Sequence, residues 1–211
     1  MNIYCFSGLG ADHRAFQFID FAEHNVVHVP WIHPLSNETL ESYANRLGEI
    51  INTAEPFVLI GLSFGGMLAL EISKTKKPHQ LILISSITAH SEKPTRMKIA
   101  GKLKLYQCVP KKYFTRPNKI AYSLFGTKTA QEKELLDQIL KDSDPDFIRW
   151  ALNSISQWKN EEKIECKRIH GTEDRIFPIK NLICDVKIEG GGHLMVVSHA
   201  KEVGNAILKW I

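Results

Sequence analysis

Six short stretches rich in apolar residues, separated by longer segments with helical spacing, set the plan of this chain. Asn2 to Phe6, Val26 to Val29, Phe57 to Ile60, Leu81 to Ile84, Ile164 to Ile169 and Asp185 to Ile188 read as strands, and the continuous apolar runs among them suit strands covered on both faces. Asp12 is placed to cap a helix from about His13 to Glu23, with Phe16 and Ile19 inward and Phe18 as a third candidate. Asn37 predicts the cap of a second helix whose Leu40, Tyr43, Ala44, Leu47, Ile50 and Ile51 share one face. Met67, Leu68, Leu70 and Ile72 predict a helix apolar nearly all round, and therefore buried. From Ser85 to about Lys163 the alternation lapses, because helical patterns around Met97 to Leu105, Thr129 to Leu140 and Asp146 to Trp158 follow one another without a strand. A closing helix is expected from about Met195 to Trp210.

Alternating strands and helices call for an α/β architecture: a doubly wound parallel sheet of six strands, with right-handed crossovers and helices on both faces. The expected strand order is 2-1-3-4-5-6, and ligands bind where such an order reverses. That order makes the ends of the first and third strands neighbours. They are Ser7-Gly8-Leu9-Gly10 and Gly61-Leu62-Ser63. The expected organisation is one domain, 1–211, with a helical cap inserted at about 86–163.

Composition changes this picture little. At 211 residues the chain can bury its own core, and 44% hydrophobic with 24% charged residues excludes a disordered class. Lys plus Arg exceed Asp plus Glu by only 27 to 23, which does not argue for nucleic acid. Cys5, Cys108, Cys166 and Cys184 form no C-x-x-C pair, and three of them are expected in core strands. They read as buried thiols of a reducing compartment. With no apolar run of membrane-spanning length and no signal-like start, a soluble cytoplasmic protein is expected.

The chemistry gathers at strand ends. Gly61-Leu62-Ser63-Phe64-Gly65 fits G-x-S-x-G between an apolar strand and an apolar helix, the context in which the serine tips a sharp turn. A serine hydroxyl needs a base to take its proton and a carboxylate to orient that base. After the fifth strand comes His170-Gly171-Thr172-Glu173-Asp174, and after the sixth comes Gly190-Gly191-Gly192-His193. Ser63, Asp174 and His193 thus follow the order Ser, Asp, His, with Glu173 as the rival acid. His170 is expected to shape the acid loop. Asp12-His13 reads first as a helix start, and a substrate contact is its second reading. The remaining histidines lack ligand spacing, so no metal or cofactor is called for.

GLSFGG, HGTEDRIFP and GGGH together resemble the nucleophile elbow, acid loop and histidine loop of the α/β-hydrolase-fold serine hydrolases, of the compact, cap-bearing kind related to carboxylesterases and proline iminopeptidase-like enzymes. The resemblance covers most of the chain outside 85 to 163. It implies Ser63 as nucleophile, Asp174 as acid and His193 as base, with the backbone N–H groups of Leu9 and Phe64 as the oxyanion hole. The implied partner is a small acyl substrate, an ester first and a thioester next. Related families use the same triad for carbon-carbon cleavage or elimination, and the fold also hosts binding proteins without activity. The chain departs from the pattern in two places. It begins directly in the first parallel strand, without the family's antiparallel pair, and it carries Ser7-Gly8 where His-Gly is usual.

One local charge bias stands out. Lys93, Arg96, Lys98, Lys102, Lys104, Lys111, Lys112, Arg116 and Lys119 occur with no acidic residue among them. A solvated helix face is one reading, and a basic lid that draws anionic substrates or faces a negatively charged surface is the other. Tyr106, Tyr113, Phe114, Phe125, Phe147, Trp150 and Trp158 give the same region aromatics for packing or for an acyl pocket.

Overall fold

The computed structural model describes residues 1–211. Six strands, β1 (Asn2–Phe6), β2 (Asn25–His28), β3 (Phe57–Leu62), β4 (Gln80–Ile84), β5 (Lys167–Gly171) and β6 (Val186–Ile188), form one sheet in the order β2-β1-β3-β4-β5-β6, with every pairing parallel. This is the expected order. All of β3 is buried, because α2 (Phe64–Lys76) covers one face of the sheet while α9 (Ala200–Leu208) and the segment around Phe16 cover the other. From Phe64 to Ser73 every residue of α2 is buried, as its all-round apolar pattern requires.

Several boundaries differ from the pattern. Only a 3-10 turn, His13–Phe16, forms after Asp12. Phe16, Ile19 and Phe21 are the residues turned inward and Phe18 is exposed, a spacing that no single helix face supplies. The Asp20 side chain then accepts from Ala22 N–H and fixes a turn with φ 50° at Ala22. Thr39, not Asn37, caps α1 (Leu40–Leu47); Asn37 sits in a turn at φ 58°, and Ile50 is exposed because the chain tightens to 3-10 geometry at Gly48. β5 starts later than its apolar run. It also runs on to Gly171 through His170, a buried polar residue that a search for apolar runs passes over. The closing helix breaks at His199 into α8 (Met195–Ser198) and α9, with Ser198 Oγ 2.8 Å from His199 Nδ1.

Between β4 and β5 lie α3 (Thr95–Lys102), α4 (Leu105–Cys108), α5 (Lys119–Phe125), α6 (Ala130–Asp142) and α7 (Pro145–Gln157), of which α4 and α5 escaped the helical pattern. A capping box at Thr129 and Glu132 starts α6, and Asp144 with Pro145 starts α7. Of the cysteines only Cys5 is buried; Cys108 is exposed on α4, and Cys166 and Cys184 stand partly exposed just ahead of their strands.

Lys93 corrects the reading of the basic stretch as a uniformly solvated face. It is buried, and its Nζ donates to the carbonyls of Ile155 at 2.5 Å and Trp158 at 2.6 Å, at the C-terminal end of α7 where a cation is favourable. Lys93→Met should take the side-chain donor from Ile155 O, leave Trp158 O with His90 Nδ1 at 3.1 Å, and lower stability by about 1–3 kcal/mol, read from denaturant midpoints at unchanged slope.

Candidate active site

Ser63 stands between β3 and α2 with φ 53° and ψ −116°, a strained backbone for a residue with a Cβ. The tightness of the turn explains its glycines. A Cβ on Gly65 would lie 2.2 Å from the Ser7 carbonyl oxygen and 2.3 Å from that of Phe6, so only glycine lets α2 start this close to β1. Two further bonds hold the turn: Ser63 N–H donates to Ile84 O at 2.9 Å, and Ser86 Oγ donates to Ser63 O at 2.6 Å.

The structure brings Ser63, His193 and Asp174 into one hydrogen-bonded row. Ser63 Oγ lies 2.8 Å from His193 Nε2, and His193 Nδ1 lies 2.8 Å from Asp174 Oδ2. Both partners of the serine are buried, and Ser63 itself is partly exposed. Asp174 Oδ2 only accepts, so the Nδ1 proton belongs on His193 and Nε2 is left as an acceptor for the serine hydroxyl.

Asp174 Oδ1 accepts from the N–H groups of Ile176 at 2.8 Å and Phe177 at 2.9 Å. His170 Nε2 lies 2.7 Å from Phe177 O and 3.2 Å from Asp174 Oδ2; both are acceptors, so this nitrogen carries the proton. His170 thus braces the acid loop, as expected. Burial pushes the Asp174 carboxyl up, but the field of His193 and the hydrogen bonds from His170 and His193 outweigh it and hold the group well below the usual carboxylate range. Glu173 points elsewhere. It is exposed and paired with Lys128 at 2.8 Å, and that bond lowers its carboxyl.

The acid and histidine loops are stitched together by Thr172 N–H to Ile188 O at 3.0 Å and Glu173 N–H to Gly191 O at 2.8 Å. From above, Leu194 N–H donates to Phe125 O at 3.0 Å, and the Phe125 ring meets the His193 ring edge-on at 5.8 Å.

Neither Leu9 N–H nor Phe64 N–H has an acceptor within the chain. The loop carrying Leu9 is braced without a histidine: Ser7 Oγ donates to Ala11 O at 2.7 Å, Trp31 Nε1 donates to the same oxygen at 2.6 Å, and Ser143 Oγ donates to Gly10 O at 2.6 Å. Trp31, Phe64, Phe147 and Trp150 pack ring against ring beside it. A cavity of about 250 Å³ opens behind this loop, lined by Gly10, Ala11, Trp31 and Phe147 among others. Asp12 lines it too, but its carboxylate is held by Arg14. A larger cavity of about 490 Å³ lies beside the Arg168–Glu92 ion pair, and neither Ser63 nor His193 lines it. Sequence reasoning missed Trp31 and Ser143 as braces, because 20 and 133 residues separate them from the carbonyls they hold.

A six-stranded parallel sheet in this order, with a serine in the turn after its third strand and an acid and a histidine beyond its fifth and sixth, is the α/β-hydrolase fold. Solved structures agree. An esterase from Thermogutta terrifontis superposes with a TM-score of 0.77 over 100% of this chain and 89% of its own, at 18% identity. MenH from S. aureus matches at 0.73, with 17% identity over 100% and 92%. A bromoperoxidase from Bacillus anthracis matches at 0.70, with 16% identity over 99% and 91%. At these identities the likeness is one of fold. No protein-family model matches the chain, and no curated protein matches it. No helix is long and apolar enough to cross a membrane.

Proposed function

We propose that the protein is a serine hydrolase that cleaves a small carboxylic ester, or a thioester, through an acyl-enzyme. The row of 2.8 Å contacts from Ser63 Oγ through His193 to Asp174 carries this reading. His193 Nε2 takes the Ser63 proton as Oγ adds to the ester carbonyl, and the N–H groups of Leu9 and Phe64 receive the oxyanion. The tetrahedral adduct collapses as His193 returns that proton to the leaving alcohol, which departs and leaves the acyl group on Ser63. Water, deprotonated by the same imidazole, then releases the acid and restores the serine. Asp174 keeps the imidazole in the required tautomer throughout. In this reading the chain is one domain whose helices at about 86–163 cap the site, with Phe125 set against His193.

A shared acyl-enzyme has a direct kinetic signature. In aqueous methanol, p-nitrophenyl butyrate and phenyl butyrate should give the same ratio of methyl butyrate to butyrate, because both pass through one butyryl-Ser63. A ratio that changes with the leaving group contradicts that intermediate.

A further inference from the structure

The basic stretch divides sharply once its side chains are placed. Of 27 basic residues nine fall between Lys93 and Lys119, so the other 18 face all 23 acidic residues and the rest of the chain is net negative. Charge is therefore polarised towards this segment. Lys93 is buried, Arg96 and Lys98 donate to the carbonyls of Arg175 and Ser91, and Lys111 pairs with Asp146. Lys102, Lys104, Lys112, Arg116 and Lys119 remain exposed and make no ion pair.

Apolar side chains are exposed in the same segment. Half of the large hydrophobic residues exposed anywhere on the chain lie between residues 99 and 120: Ile99, Leu103, Leu105, Tyr113 and Ile120. Leu103 is 62% exposed and Ile120 71%. At the corner between α3 and α4 the order Lys102-Leu103-Lys104-Leu105 alternates an exposed cation with an exposed leucine.

We infer that residues 99 to 120 form a face that docks on an anionic lipid surface. Leucines flanked by lysines, whose methylene stems lie along apolar surface while their heads stay in water, suit the boundary between headgroups and acyl chains. Free cations draw such a face to a negatively charged leaflet, and a polarised molecule arrives with this face forward. An acidic protein surface would satisfy the cations, yet it would leave the protruding aliphatic side chains without a nonpolar phase to enter. The face is also close to the candidate site. Ile120 lies in the first turn of α5 and Phe125 ends that helix against His193, and the whole helix of seven residues spans about 10 Å. The inference does not rest on hydrolysis, so the Ser63→Ala protein serves for its test.

Ser63→Ala protein should sediment with phosphatidylcholine vesicles that contain phosphatidylserine and remain free with phosphatidylcholine alone. Salt should release it, since screening shortens the reach of the lysines. Each neutralised lysine weakens such binding about fivefold, so adding Lys102→Gln and Lys104→Gln should weaken it about 25-fold. Adding Leu103→Ser and Leu105→Ser instead, with every charge kept, should weaken it about tenfold or more. All four side chains are exposed, and an unchanged thermal midpoint verifies that the fold is intact. Equal binding to both vesicle types, or full binding by the leucine variant, overturns the inference. Absence of vesicle binding overturns it too and leaves an acidic protein as the partner of this face.

Discussion

Ser63→Ala should reduce hydrolysis of a short-chain p-nitrophenyl ester by about a millionfold, the usual effect of removing a triad nucleophile. The loss is chemical: the substitution removes one partly exposed hydroxyl and leaves β3, α2 and the glycines of the turn as they are. Circular dichroism and the thermal midpoint should therefore match the parent. Alanine at a φ of 53° is no more strained than serine, since both carry a Cβ. Retention of most of the activity by a clean preparation would remove Ser63 from the reaction.

Asp174→Asn should lower turnover by about four orders of magnitude, because an amide that donates to Nδ1 selects the wrong imidazole tautomer. Glu173→Gln should be mild, as it breaks only the exposed pair with Lys128. A reversal of the two effects would move the acid role to Glu173. Acid pH separates the groups further. His193 must be neutral to accept the serine proton. Asp174 is held well below the usual carboxylate range, so it stays ionised through that range. Its protonation belongs to acid denaturation instead. A depressed folded-state value means that Asp174 stabilises the fold above the ordinary carboxylate range, and that this support is lost as pH falls through the lower value.

The sheet order and the candidate site could be read in the chain because both rest on short-range signals. Apolar runs locate buried strands, and the glycines around Ser63 record a backbone contact that a Cβ would break. Topology then places the turns after β1, β3, β5 and β6 at one end of the sheet. What could not be read rests on pairs far apart in sequence. Lys93 looked like one more surface lysine until the end of α7, 62 residues on, supplied its carbonyls. The loop after β1 lacked the usual histidine, and its substitutes, Trp31 and Ser143, carry no motif. His170 hid the end of β5, because a buried polar residue satisfied by Phe177 O and Asp174 looks like a surface residue in a pattern of apolar positions. The helix expected after Asp12 failed for a related reason: the cap was present, but the inward residues followed the needs of the core and not a helical period.

Labelling with a fluorophosphonate, followed by peptide mass spectrometry, tests the proposed nucleophile most directly. The probe forms a stable phosphonate ester only with a serine that a neighbouring base has activated. One adduct per chain on Ser63, abolished in His193→Ala and strongly slowed in Asp174→Asn, is the predicted result. No adduct in freshly prepared protein, or an adduct on a different serine with Ser63 unmodified, would contradict it.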